Sequence, residues 1–355
     1  MGYTTVADRS EAVDAAAALA AIPPVVGADE TQAFIARYPL LIEHVSAEAG
    51  ITEPVVCARA LLQAMGDIVR AVSLVRAWGA TLPRVRNDRI AIADLRTERR
   101  VTPAFSKPAG GQYLGASLDY AQRLLDFGNG NGAPLTEAND GVASRNGAVA
   151  PSSFAPAIAH LDEEGLISAG RAAEPVDMTR TKQFGGRGGL LQLLARGETG
   201  TMTGLAYIAI RGYGQRQDPT LMELRGGFFP VQLERPDGET FTVGEIPATV
   251  AEVTFYRLHD DTGADPQFTL GVGATPGRVE RRAIAAAMLD AGCARAAADP
   301  DGKRRPCDDE EFIRVIVDGQ EASGFVEHLK LPHYVTFTSE LDRVRAARAS
   351  REEDV

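Results

Sequence analysis

The sequence predicts an α+β protein: a helical N-terminal region, then a mixed region with an antiparallel sheet and further helices. Three observations carry this reading. Leu61, Leu62, Met65, Ile68, Val69, Val72 and Val75 recur at helical spacing. Phe229 to Glu234 alternates, Pro236-Asp237-Gly238 supplies a turn, and Thr240 to Glu245 resumes the run, which is a hairpin pattern. Helical patterning then returns at 278–291, 308–320 and 338–350.

The elements follow in order. Ser10 is placed to cap a helix through the alanine-rich run to Ala21. Asp29, with Gln32 three residues on, reads as a cap for a helix ending near Gly50 and interrupted by Pro39. Thr52 with Pro54 opens a long helical stretch in which Gly66 marks a kink. Leu118 to Phe127 and Ser152 to Leu166 read as helices, and Gly185-Gly186-Arg187-Gly188-Gly189 as a flexible loop before Leu190 to Arg196. Thr249 to Leu258 reads as a further strand. The expected organisation is residues 1–130 mainly helical, a Gly/Asn-rich linker at 131–150, and a mixed region at 151–355.

Composition bounds the function. The 355 residues carry a net charge of −11, which argues against general nucleic-acid binding. No apolar run is long enough to span a bilayer, and a cationic leader is lacking before Ala15 to Val26, so a cytoplasmic location is expected. Cys57, Cys293 and Cys307 form no CxxC pair and read as buried, reduced thiols. The basic residues are nearly all arginine, the side chain suited to bidentate phosphate binding.

Four features carry candidate chemistry. His328 and His333 flank Pro332, and a bend there brings two imidazoles to one point, as a metal or a phosphate requires. Two histidines are only half of a structural zinc set. The loop Lys107 to Gly115 contains Gly110, Gly111 and Gln112, whose backbone can approach an anion, but it lacks the Walker order. Arg123 and Asp126 lie three apart on one helical face, and Arg180 sits in a further polar cluster. Glu245, after Gly244 at a strand end, is placed to stabilise a cationic ribose during glycosidic cleavage.

Short blocks then run in one order along nearly the whole chain: Glu98-Arg99-Arg100, Gly110-Gly111-Gln112 with Leu114-Gly115, Asp119-Tyr120, Arg123 to Phe127, Thr179-Arg180, Arg211 to Gly214, Val243-Gly244-Glu245, Pro266 to Thr269, Glu280 to Ala283, Asp309 to Phe312, and Gly324 to Val335. This ordered set resembles the PhnI family, core-complex subunits of the bacterial carbon–phosphorus lyase system, as a divergent member. The chain has Gln122 where the family usually has a histidine, and Leu270-Gly271-Val272-Gly273 where Arg-Gly-Tyr-Gly is usual.

The resemblance implies a transferase that replaces the purine base of ATP or GTP with a phosphonate such as methylphosphonate. The product is ribose 1-methylphosphonate 5-triphosphate, and water in place of phosphonate gives a nucleosidase. It implies partner subunits, including a radical SAM iron–sulfur subunit, and two copies of this chain per complex. It implies a zinc ion at His328 and His333, completed by the neighbouring subunit. Glu245 or Asp126 would stabilise the cationic ribose, with Lys107, Arg123 and Arg180 on the triphosphate. The alternatives are a non-catalytic scaffold that supplies metal ligands, or a free-standing nucleoside triphosphate nucleosidase.

Overall fold

In the computed structural model, residues 27–84, 91–115, 154–168, 173–174, 185–212, 219–257, 266–298, 304–331 and 333–353 are described, with 11, 14, 15, 18, 117, 119 and 302. The chain divides into two compact units, one of Val26–Gly319 and one of Met1–Val25 with Gln320–Val355. The linker expected at 131–150 and most of the 118–127 helix lie outside the described residues, as does most of the 10–21 helix, of which Glu11, Asp14, Ala15 and Ala18 are helical.

The larger unit begins with four helices. They are α1 (Ala28–Arg37), α2 (Pro39–Ala49), α3 (Pro54–Gln63) and α4 (Ile68–Thr81). Pro39 ends one helix and opens the next, because it cannot donate to a preceding turn but fits the first helical position. Gly27 rather than Asp29 is the N-cap of α1, and Asp29 sits in the first turn, where a carboxylate favours the helix dipole. The kink expected at Gly66 is a full break. Met65 and Gly66 take left-handed φ values of 54° and 87°, and Asp67 caps α4 by accepting from the Arg70 amide at 3.1 Å. Val45, Cys57, Leu61, Val72 and Val75 form the buried core of this bundle.

The sheet has the order β1-β3-β4-β5-β2, with β1 (Arg96–Val101), β2 (Ile167–Ser168), β3 (Thr220–Glu234), β4 (Thr240–Arg257) and β5 (Gln267–Pro276). The pairings are antiparallel except β2 with β5, a two-residue parallel edge. The two strands expected at 240–245 and 249–258 are one continuous strand, since β3 and β5 together offer hydrogen-bond partners along β4. Glu245 therefore lies inside β4, not at a strand end.

Helices α6 (Gly186–Ala195), α7 (Thr199–Arg211) and α8 (Glu280–Ala298) share one core with Leu224, Ala251, Val253 and Phe255 of the sheet. Two glycines set the approach of α8 to β5. A Cβ on Gly271 would stand 2.0 Å from the Ala287 carbonyl, and one on Gly273 2.1 Å from the Ala283 carbonyl. The glycine run at 185–189 opens α6 rather than forming a loop. Gly188 permits backbone contact, because a Cβ there would fall 1.7 Å from the Glu174 carbonyl oxygen. Arg187 fixes the same turn through two bonds to buried Asp290. The helix expected over 152–166 contracts to α5 (Ala159–Glu163), ended by Gly165 at φ 72°. Helix α9 (Glu310–Ile316) is capped by Asp309.

Buried carboxylates dock the helical bundle onto this layer. Glu48 accepts from the Thr199 amide and hydroxyl at 3.0 and 2.6 Å, and the hydroxyl also receives a bond from Arg282. Glu43 accepts from the Arg278 amide and side chain. The smaller unit takes up α10 (Gly319–Glu327) from Gln320 onward, and α10 leads through a single 3-10 turn, His328–Lys330, to α11 (Tyr334–Glu353).

Candidate functional site

Arg99 and Arg100 alternate sides of β1 and hold the glycine loop at two points. Arg100 is fully buried. Its Nη1 donates to the carbonyls of Ala109 and Gly111 at 2.6 and 3.0 Å, its Nη2 to that of Ala155, and its Nε to Glu223. The guanidinium carbon also lies 4.1 Å from the Phe154 ring centre. Arg99 donates to the carbonyls of Leu114 and Gly115 and pairs with Glu280. An isolated bridge between Arg100 and Tyr113 completes the clamp.

The loop's shape follows from its glycines. Gly110 and Gly111 both take φ of 78°, which an L side chain rarely adopts. A Cβ on Gly110 would also stand 2.9 Å from Arg100 Nη1. The loop carbonyls turn inward to the arginines. Lys107, Gly110, Gly111 and Gln112 are exposed, and Gln112 Oε1 accepts from the Thr102 amide at 3.4 Å.

The start of α8 joins this cluster. Glu280 meets Arg99, and Asp119 accepts from the Arg281 amide and side chain. His44 of α2 lies among the same charges. Burial, then Arg281 and Arg282, lower its pKa to about 4, so it is neutral at pH 7. The sequence reading did not single out His44. No local pattern distinguishes it from a packing residue between Ile42 and Val45, and only the fold brings Arg281 and Asp119 to it.

Other expected residues are placed apart. Glu245 is bonded to Arg96 through both oxygens, at 3.2 and 2.9 Å, and Arg96 also reaches Glu98. Glu245 pairs with Pro230 of β3, whereas Arg100 pairs with Arg225. Five residues of strand separate the two rows, about 17 Å, so Glu245 is not beside the glycine loop. Asp126, Arg123 and Arg180 lie outside the described residues.

His328 and His333, in the smaller unit, do meet. Their ring centres are 5.1 Å apart at 69°. His328 Nδ1 bonds to the Phe325 carbonyl and His333 Nδ1 to the Leu331 carbonyl, at 2.5 and 2.6 Å. A carbonyl only accepts, so each Nδ1 is the donor in these bonds and Nε2 is the nitrogen left to face a ligand. Two imidazoles on one tetrahedral zinc, with Zn–N of about 2.0–2.1 Å, place their ring centres about 5 Å apart. The separation of the ring centres matches that of two such ligands. Among the described residues no third His, Cys, Asp or Glu joins the pair.

Fold and sites together define an arginine-rich α+β protein that presents a clamped glycine loop in one unit and an exposed imidazole pair in the other. Residues 2–351 match the model of the bacterial phosphonate metabolism protein (PhnI) family. The chain is 36% identical over 367 residues to a putative C-P lyase subunit protein, HtxH, of Stutzerimonas stutzeri, covering 98% of this chain and 96% of the relative. It is 35% identical to the alpha-D-ribose 1-methylphosphonate 5-triphosphate synthase subunit PhnI of Escherichia coli (strain K12), covering 97% of each. The Rhizobium meliloti (strain 1021) subunit of the same name is also 35% identical, over 89% of this chain and 84% of the relative. The chain belongs to the PhnI family.

Proposed function

We propose that this chain is a catalytic subunit of a carbon–phosphorus lyase system, replacing the purine base of a nucleoside triphosphate with a phosphonate to give ribose 1-phosphonate 5-triphosphate. Full-length similarity to two synthase subunits of that name is the observation that carries the reading. The glycine loop supports it. Among the described residues the amides of Gly110 and Gln112 take no acceptor, and Lys107 on the same exposed loop makes no ion pair. These are donors for a triphosphate. Arg99 and Arg100 turn the loop carbonyls inward, which keeps acceptors away from that anion.

The imidazole pair is the proposed metal site, with His328 and His333 as ligands through Nε2. Zinc held there would supply a fixed positive centre, and a neighbouring subunit would provide the further ligands. The surrounding surface supports a shared site: Phe325, Val326, Leu329, Leu331, Val335 and Phe337 are each more than 60% exposed within thirteen residues. We assign this face to the companion subunits. The same apolar face favours the scaffold reading as a second possibility, in which partners perform the chemistry. None of the described helices is long and apolar enough to cross a membrane.

The test is free adenine. Purified chain is incubated with ATP, with and without methylphosphonate and companion subunits. The enzyme reading expects adenine on ATP addition and a product diverted from ribose triphosphate to the phosphonate ester. Adenine-free incubations of the complete assembly would leave the scaffold reading.

A further inference from the structure

Beyond the loop, three polar side chains stand in one row, at the end of β1 and on β3 and β4, each at least nine-tenths buried. Glu223 of β3 pairs directly with Glu252 of β4. Thr102 follows Val101, which pairs with Leu224, so Thr102 stands level with Glu223. Directly paired residues share a sheet face. Thr102 Oγ1, Glu223 Oε2 and Glu252 Oε2 are buried and have no hydrogen-bond partner among the described residues. Leaving such atoms unsatisfied is costly, so a row of three calls for a ligand or a proton.

The two carboxyls differ in their neighbours. Glu223 is held by Arg100 through Oε1 and has Arg225 Nε 3.6 Å from Oε2. Glu252 has no ion pair among the described residues. From β3 it is faced by Glu223 and Arg225, with Arg100 of β1 beyond them, and from β5 its partner is Val272. A buried carboxyl with no cation of its own and a carboxylate opposite favours its neutral form. Burial first, then Glu223, push the Glu252 pKa up to about 7.

The row also has a defined origin. Arg100 grips Glu223 with one edge and the Gly110-Gly111 loop with the other. Gln112 of that loop holds the Thr102 amide. From β1 to β4 the row spans two strand spacings, about 10 Å, the scale of a nucleotide from phosphates to base.

We propose that Glu252, opposite Glu223, is the acid that protonates the purine as it leaves. This deepens the synthase reading and rests on it. As the C1′–N9 bond breaks, its electron pair passes to the base, and the Glu252 hydroxyl delivers its proton to a purine ring nitrogen. C1′ forms its new bond to a phosphonate oxygen, or to water, which loses its own proton. Glu252 is left as carboxylate and is reprotonated by solvent. Thr102 and Glu223 accept from the donor groups of the bound base. Glu252 is thereby a catalytic residue, and Glu223 positions and tunes it.

The test uses the assembled complex with GTP and with N7-methyl-GTP, whose base is already cationic and needs no acid to leave. Glu252→Gln is expected to lower guanine release from GTP by roughly 10²–10⁴-fold, while 7-methylguanine release stays near wild type. Equal loss on both substrates would overturn the assignment. The wild-type pH profile is a second readout that survives a poorly folding variant. With GTP the rate falls as pH rises through about 7, and the comparison with N7-methyl-GTP is made below that pH, where its base keeps the N1 proton and stays cationic. A wild-type GTP profile that is flat through pH 7 also overturns it. If the wild-type complex releases no base from any purine triphosphate, it is the synthase reading that fails.

Discussion

Arg100 donates from Nε to Glu223 Oε1 at 2.5 Å with both side chains sealed from solvent, and the same guanidinium binds two carbonyls of the glycine loop. One buried ion pair thus joins the middle of the sheet to the segment that carries Lys107 and Gly110.

Breaking that pair from one side is expected to be severe. Arg100→Met leaves Glu223 buried opposite Glu252 with Arg225, 3.6 Å away, as its remaining ion pair among the described residues, and loss of one partner of a buried pair costs about 3–5 kcal/mol. Chemical denaturation should show this loss. Proteolysis should show the 107–115 loop cut first, because its carbonyls lose their donor. Arg100→Met combined with Glu223→Leu should recover part of the stability while leaving the loop labile.

Glu252 should leave a pH signature on stability. Its folded pKa of about 7 lies above the ordinary carboxylate value of 4.5. The folded state therefore holds a proton that the unfolded chain releases between those values. Its stabilising contribution is full below about 4.5 and is lost as pH rises through 7, a change on the order of 3 kcal/mol. His44 acts oppositely: its pKa of about 4 lies below the ordinary 6.5, so its contribution is full above 6.5 and is lost as pH falls toward 4. The wild-type curve is the sum. Glu252→Gln should remove the alkaline decline and leave the acid one, as read by denaturation midpoints from pH 4 to 8.

Zinc content separates the imidazole pair from the rest of the chain. His328→Ala or His333→Ala should each abolish stoichiometric zinc in the purified complex. The melting of the isolated variant chain should match wild type, because neither ring is buried. Undiminished zinc in both variants would refute the ligand assignment.

The thiols should be inert. All three cysteines are buried and in no disulfide, and burial pushes Cys57 up to about 12 and Cys307 up to about 11. A thiolate-selective alkylating reagent at pH 8 should label none of them in the native protein and all of them in denaturant. Native labelling at Cys57 would contradict its packing.

Gly271→Ala tests the joint between α8 and β5. The added methyl meets the backbone of Ala287 and Ala291, which has no rotamer to adopt. Helix and strand must separate, at a cost of about 1–3 kcal/mol or more, seen as a lowered midpoint in urea.

Much of the fold is readable from local pattern. The break at Pro39, the hairpin turn at Pro236-Asp237-Gly238 and the helices after 278 depend on residues that act within one or two turns. The failures have a common cause. Gly188 and Gly271 look like flexible or breaking residues in sequence, but close backbone contacts with segments far along the chain require them. Glu245 looks like a strand end because Gly244 and Pro247 flank it, yet pairing to β3 carries the strand through.

By itself, the sequence determined the α+β class, the family and the paired histidines with a turn between them, since these rest on composition, spacing and ordered short blocks. Tertiary structure alone decided which charges meet. It put Arg100 under the glycine loop, gave Glu245 to Arg96 and set Glu252 opposite Glu223. Glu245 and Arg96 are 149 positions apart, and Glu252 meets Glu223 across opposing strands; Arg100 lies only 9 and 11 positions from its loop partners, but it is its burial that sets the energy of those bonds, and no local pattern encodes burial.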